Sequence, residues 1–299
     1  MRDRTLITEA QLRNCFLVQR QGLPLHFKIE MTLRRIRYWY DKFDGNIHVC
    51  FSGGADSTVL LFLARCLYPE IKAVFVDTGV EYPEIRQFVR TVENVVWMKP
   101  KMTYKQVLAK HGYLVVGKET SQKIYEARNT KSDFLRELRT TGVEGRKRQA
   151  IPAKHAYLVD APFKISHKCC HILKHEPLDR YAKQTGSMPM TGEMAFESAA
   201  RTQKIAEHGC FFMGKLPRAK PMSFWTPTDS HLILSMLPHC VLYDLGFTRT
   251  GCFPCAAGVE QNSPNKFQVM KKTHPRLHAK ALPAFGINDV LKFMGVPIE

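Results

Sequence analysis

The chain has no apolar run near the ~18 residues that a bilayer span requires, so no membrane-crossing segment is expected. Its start, Met1-Arg2-Asp3-Arg4-Thr5, has no apolar block of the kind a secretory leader carries, and cytoplasmic residence is the matching expectation. Internal repeats, low-complexity tracts and long linkers are also missing, which leaves one main domain as the simplest organisation. Acidic residues are scarce. Against 44 Lys and Arg there are 27 Asp and Glu, a net charge of +17 over 299 residues. That excess points to a polyanionic partner. It gathers in residues 118–154 (including Arg146-Lys147-Arg148), in 201–220, and in 266–280, where no acid interrupts Lys266, Lys271, Lys272, Arg276 and Lys280. Such runs are also the ordinary solvated face of a protein, and no nucleic-acid-binding signature accompanies them. Nine cysteines, an odd number without an export signal, favour thiol or metal chemistry over a disulfide scaffold.

Against these absences stands one dense motif. Val49-Cys50-Phe51 runs into Ser52-Gly53-Gly54-Ala55-Asp56-Ser57-Thr58 and then Val59-Leu60-Leu61-Phe62-Leu63, which reads as strand, phosphate loop and helix N-terminus. Adjacent glycines let the backbone approach an anion, the hydroxyls donate, and the first helical N–H groups face the same point. No Gly-Lys-Ser/Thr follows, so this is not a Walker loop. The next strand, 71–76, ends in Asp77-Thr78-Gly79, and ligands gather at the carboxyl ends of strands in a doubly wound sheet, so Asp77 and Thr78 are expected beside the loop. Strands near 47–51, 71–76 and 94–98 alternate with helices near 57–67, 82–92 and 103–111, the pattern of a parallel α/β sheet. An amphipathic helix is expected over 24–43, one helix over 119–139, and an irregular basic stretch over 140–165. The corresponding partition is an N-terminal helical segment 1–44, a phosphate-loop domain 45–260 and a basic helical tail 261–299.

A second constellation lies further on. Cys169-Cys170 and the Cys252-Phe253-Pro254-Cys255 turn together can complete a four-thiolate site. Three other readings stay open: buried small hydrophobes, a Zn²⁺ site, or a Cys252/Cys255 dithiol unconnected to the first pair. The neighbouring His167, His171 and His175 keep zinc in contention. Cys15, Cys50, Cys66, Cys210 and Cys240 lie in apolar sequence and read as core or incidental.

The Ser-Gly-Gly-x-Asp-Ser-Thr string resembles the PP-loop of the adenine nucleotide alpha hydrolase-like superfamily, whose fold is a Rossmann-like (HUP) parallel sheet flanked by helices. Phe75-Val76-Asp77-Thr78-Gly79-Val80-Glu81-Tyr82-Pro83-Glu84 is similar to the PAPS reductase branch of it. Cys-Cys followed by Cys-x-x-Cys, with Leu173, Lys174, Pro177 and Leu178, resembles the 4Fe-4S pattern of adenylyl-sulfate (APS) reductases. Further phrases at 112–119, 190–198, 224–229 and 265–268 carry the resemblance over roughly residues 25–280.

The resemblance implies an adenine nucleotide, ATP or PAPS/APS, held by Ser52, Gly53, Gly54, Asp56, Ser57, Thr58, Asp77, Thr78 and Gly79. Asp56 and Asp77 are the implied catalytic carboxylates, with Mg²⁺ held in part through Asp56. Gly192, Glu197, Ser198 and Arg201 are implied substrate contacts, Arg201 as a bidentate anion clamp or else a plain exposed helix residue. Cys169, Cys170, Cys252 and Cys255 are the implied ligands of a 4Fe-4S cluster, with Zn²⁺ as the alternative. One departure bears on activity. Reductases of this branch attack sulfur with a cysteine in a C-terminal Glu-Cys-Gly-x-His segment, and this sequence has no cysteine after Cys255. The expected function is therefore an ATP pyrophosphatase/sulfurtransferase that adenylates an acceptor, with tRNA or DNA as candidate acceptors and a cysteine desulfurase or similar enzyme as sulfur donor. A sulfonucleotide reductase with a 4Fe-4S cluster and a non-catalytic nucleotide- or nucleic-acid-binding regulator are the alternatives.

Overall fold

The computed structural model describes residues 8–298; the N-terminal Met1-Arg2-Asp3-Arg4-Thr5 sequence and Glu299 lie outside the described residues. In chain order it runs α1 (Glu9–Gln21), α2 (Leu25–Lys42), β1 (Ile47–Cys50), α3 (Ala55–Leu67), β2 (Lys72–Val76), α4 (Pro83–Thr91), β3 (Val95–Met98), α5 (Tyr104–His111) and β4 (Val115–Val116). It continues through α6 (Lys118–Asn129), α7 (Asp133–Thr140), α8 (Glu176–Thr185), β5 (Met188–Met190), α9 (Ala199–His208), β6 (Phe211–Phe212), β7 (Arg218–Ala219) and α10 (Pro227–Leu234). The last elements are β8 (Ala256–Ala257), α11 (Lys266–Thr273), α12 (Pro275–Ala284) and α13 (Ile287–Phe293). Two compact units share these elements. One takes the described residues up to Asp77, then Tyr82–Lys99 and Pro177–Thr250; the other takes Thr78–Glu81, Pro100–Glu176 and the described residues from Gly251 on.

The first unit is built on a sheet of order β3-β2-β1-β5-β7-β6, parallel except for β6, which runs antiparallel to β7. Val49, Ala73, Val74 and Met190 are wholly buried, as strands covered on both faces require. Helix α3 buries Val59, Leu60, Leu61, Leu63 and Ala64, and α2 buries Ile36 and Trp39. The α/β pattern read from the sequence is the observed one. The sheet places β1 between β2, which follows it, and β5, which returns on its other side. That is the topological switch point at which open α/β sheets hold their ligands. The carboxyl ends of the three parallel neighbours bring together Phe51–Gly54, Asp77 and Thr191–Gly192.

In the second unit β4 and β8 pair in parallel, Val115 against Ala256. Tyr113 bridges Ile165, and Glu81 bridges Cys252. Its core holds Ile124, Leu158, Leu173, Phe267, Leu282 and Leu291. The single helix expected over 119–139 is two helices. The Ser132 hydroxyl accepts the Leu135 N–H at 3.2 Å, which starts α7 afresh, and Arg139 reaches back to Glu126 at 2.6 Å. A serine that competes for backbone N–H groups favours such a cap over a helix interior. The stretch 140–165 is irregular apart from 3-10 turns at Lys147–Gln149 and Ala153–Asp160.

Candidate active site

Gly53 has φ +69°, a conformation open to glycine, and a side chain there would also press on Ile85 and Val89. The phosphate loop folds by satisfying itself. The Ser52 N–H donates to Ser57 Oγ at 3.1 Å and the Gly54 N–H to Ser52 Oγ at 3.3 Å. The hydroxyls of Ser57 and Thr58 both donate to the Gly54 carbonyl at 2.9 Å. The Ala55 N–H, at the head of α3, donates to the Tyr243 hydroxyl at 2.6 Å.

Asp56 is held by Ser230, whose hydroxyl donates to Oδ1 at 2.7 Å. Burial raises the Asp56 carboxyl; the Ser230 hydrogen bond opposes this, Glu197 adds to it, and Arg249 and His231 oppose it. Ser230 is placed by its helix: Thr226 and Asp229 form a capping box at the start of α10, and the buried Lys28 ammonium donates to Asp229 at 2.6 Å. Asp77 follows β2 and pairs with Arg86 of α4 at 2.9 Å. Thr78 and Gly79 belong to the second unit, where the Thr78 N–H and hydroxyl donate to Glu81 at 3.0 and 2.6 Å.

A Cβ on Gly192 would stand 2.8 Å from the Asp56 carbonyl oxygen, so glycine lets the turn after β5 close on the start of α3. Glu197 receives Arg201 on Oε1, together with the Met194 N–H at 3.1 Å, and Arg249 on Oε2 at 2.7 Å. The Arg201 guanidinium is thus already paired with a carboxylate of its own chain. Ser198 caps α9, its hydroxyl accepting the Arg201 N–H at 3.3 Å. Sequence reasoning missed Ser230, Tyr243, Arg249 and Thr250. The capping-box spacing Thr226-Pro227-Thr228-Asp229 was a visible signal for the helix that carries Ser230, and nothing in spacing flags the other three.

The four candidate cysteine ligands all lie in the second unit. Burial is the main force raising the Cys169, Cys170 and Cys252 thiols, and each also feels others of the set. The Lys174 ammonium is raised chiefly by Cys252, and half-buried Lys266 is lowered by desolvation while its ammonium donates to the Cys252 carbonyl at 3.0 Å. Four soft donors within electrostatic reach, with two half-buried lysine ammonium groups to offset thiolate charge, are a chemistry that suits an iron–sulfur or zinc centre. Among the described residues, no three His, Cys, Asp or Glu are already gathered at the spacing that holds one ion. Every cysteine is a free thiol. Of the cysteines read as core or incidental, Cys15 and Cys66 are exposed and so fall on the incidental side of that reading, and Cys240 is buried. Burial pushes the Cys50 thiol up to about 12 and raises that of Cys240. Among the described residues no helix is long and apolar enough to cross a membrane.

Known proteins are similar to this chain in sequence. An uncharacterized protein of Methanocaldococcus jannaschii is 26% identical over 251 residues, 82% of this chain, and the chain spans only 42% of that relative's length. An adenosine 5′-phosphosulfate reductase of Chelativorans sp. is 25% identical over 261 residues, covering 86% of each chain. A phosphoadenylyl-sulfate reductase structure from Candida auris aligns with a TM-score of 0.46 at 17% identity, over 83% of this chain and 97% of that one. The model of the phosphoadenosine phosphosulfate reductase domain matches residues 46–258, from just before β1 to just past β8. The match takes in the phosphate loop, Asp77, the Gly192–Arg201 turn and both cysteine pairs, and on it the chain belongs to the phosphoadenosine phosphosulfate reductase domain family.

Proposed function

We propose that this chain is an enzyme that binds an adenine nucleotide at the phosphate loop and acts as an ATP pyrophosphatase/sulfurtransferase. The observation that carries the reading is the gathering of loop, Asp56, Asp77 and Gly192 at the switch point of the parallel sheet, with two arginines, Arg201 and Arg249, converging on Glu197 nearby. The β- and γ-phosphates of ATP rest on the loop and the first turn of α3, where N–H groups and the helix dipole favour negative charge. An acceptor oxygen attacks the α-phosphorus, the bond to the bridging oxygen breaks, and pyrophosphate leaves. The arginines supply positive charge where the transition state gains negative charge. In a second step a sulfide-level donor attacks the acceptor carbon and AMP departs. A bound Mg²⁺ would neutralise the triphosphate, and Asp56 would be a carboxylate available to hold it. A cluster on Cys169, Cys170, Cys252 and Cys255 would supply a redox or sulfur-binding centre. The exposed Arg146-Lys147-Arg148 run and Lys271, Lys272, Arg276 and Lys280 support tRNA or DNA as the acceptor.

A thiolate attack of the reductase kind finds less support from Cys50 and Cys240 of the unit that carries the loop. Burial keeps Cys50 and Cys240 protonated, and a protonated thiol is a poor nucleophile. The second reading, sulfonucleotide reduction, is favoured by the relative named as an adenosine 5′-phosphosulfate reductase and by the four mutually sensed thiols. The deciding experiment measures pyrophosphate release from ATP, with and without tRNA or DNA, beside sulfite release from PAPS and APS. Pyrophosphate release stimulated by nucleic acid is expected, and Asp56→Ala should reduce it by at least about a hundredfold, the scale of a lost preorganised charge. Sulfite release without pyrophosphate would replace this reading with the reductase.

A further inference from the structure

The segment Cys240–Thr250 has no regular secondary structure, yet it is pinned at both ends. Cys240 and Leu242 are wholly buried at its start. Short turns tie it internally, with the Gly246 N–H on the Tyr243 carbonyl at 3.1 Å and the Phe247 N–H on the Leu242 carbonyl at 3.0 Å. At its far end Arg249 pairs with Glu197 at 2.7 Å, and the Arg249 side chain is 73% exposed. Between these anchors, two hydroxyls face the phosphate loop. Tyr243 takes the Ala55 N–H at 2.6 Å, and Thr250 Oγ1 lies 3.3 Å from the Tyr243 hydroxyl and 3.0 Å from where a Cβ on Gly54 would stand.

The Ala55 N–H is one of the α3 donors that a nucleotide phosphate needs. In the ligand-free chain its partner is a phenol oxygen. We infer that Cys240–Thr250 is a latched strap over the phosphate loop, in which Tyr243 stands in for the phosphate and the Glu197–Arg249 ion pair is the catch. This rests on the reading of the loop as a phosphate site. Entry of the nucleotide requires the Tyr243 phenol to leave the Ala55 N–H and the strap to lift beyond Gly246, whose φ of +84° offers a pivot; the catch is open to solvent on its Arg249 side, while the Glu197 carboxylate is largely buried. The same ion pair explains the Glu197 carboxylate, since it joins Arg201 of the sheet side to Arg249 of the strap. A phosphate that reaches the loop takes the Ala55 N–H and competes with Glu197 for both guanidinium groups.

Two measurements on the full chain test the strap. In hydrogen exchange without nucleotide, Arg249→Ala should speed exchange of residues 240–250 and of the Ala55 amide, and Tyr243→Phe should speed the Ala55 amide alone. In ATP titration, Tyr243→Phe should bind roughly two- to tenfold tighter, the equivalent of one hydrogen bond no longer displaced. Unchanged exchange in Arg249→Ala would overturn the latch. Weaker ATP binding by Tyr243→Phe would overturn the stand-in role and make the phenol a phosphate ligand. If wild type and both variants leave ATP, PAPS and APS unbound, the phosphate reading itself falls, and the exchange rates alone decide whether the strap opens.

Discussion

Ser230 shows how a single hydroxyl can set the working range of a carboxylate. It is wholly buried and its one described acceptor is Asp56, whose carboxyl is raised by burial and steadied by that bond. A hydrogen bond to the ionised form favours ionisation, so its loss moves the Asp56 carboxyl further up. If ionised Asp56 is required, Ser230→Ala should shift the acid limb of the pH–rate profile to higher pH. Activity at neutral pH should fall by less than in Asp56→Ala, and Ser230→Thr should restore the limb. The charged groups facing Asp56 are Glu197, Arg249 and His231, and none is removed by the change. An unmoved acid limb would show that Asp56 does not titrate in turnover. Ser230, Tyr243 and Arg249 were not legible in the sequence because each reaches its partner across long separations, 174 positions for Ser230 to Asp56 and 188 for Tyr243 to Ala55. Periodicity and local spacing record which face of an element is buried, and carry no trace of such distant pairings.

At the scale of elements, the parts most legible from sequence are those whose signals are local. Strands β1 to β3 and helices α3 to α5 match their expected spans to within about two residues, because alternation of apolar runs with capped helices fixes both ends. The break between α6 and α7 was missed because the helical period continues through Thr130-Lys131-Ser132 while the serine cap interrupts it. Strand β1 also carries a pH liability. Its His48 is fully buried, with Nδ1 at 2.9 Å from the Ser187 hydroxyl and Nε2 without a described partner, and burial lowers its pKa from 6.5 to about 4. The unfolded chain therefore binds a proton between pH 6.5 and 4 that the folded chain refuses, so stability is full above pH 6.5 and falls as the pH drops through that window. Chemical denaturation should show a loss of roughly 2 kcal/mol from this group between pH 7 and pH 5. In His48→Gln that part of the pH slope should vanish; a slope equal to wild type would assign the loss to other groups.

For the whole molecule, charge and connectivity matter more than any one contact. Lys271 and Lys272 of α11 and Arg276 and Lys280 of α12 are exposed, whereas Lys266 from the same acid-free run turns inward to the Cys252 carbonyl. The run read as one basic patch is therefore two things, an outer face and an inner counter-charge. If the outer face holds nucleic acid, tRNA retention should weaken steeply with salt, and the Lys271→Glu, Lys272→Glu double variant should reduce the slope of log affinity against log salt by about one to two. An unchanged slope would move the contact to another basic stretch.

The chain passes between its two compact units at Asp77/Thr78, Glu81/Tyr82, Lys99/Pro100, Glu176/Pro177 and Thr250/Gly251. Neither unit is a continuous stretch of sequence. Deletion mapping, the usual way of asking which half of a protein performs which task, is closed to this one: no single cut leaves either unit whole and removes the other. Its division of labour has to be read by point substitution, one side chain at a time.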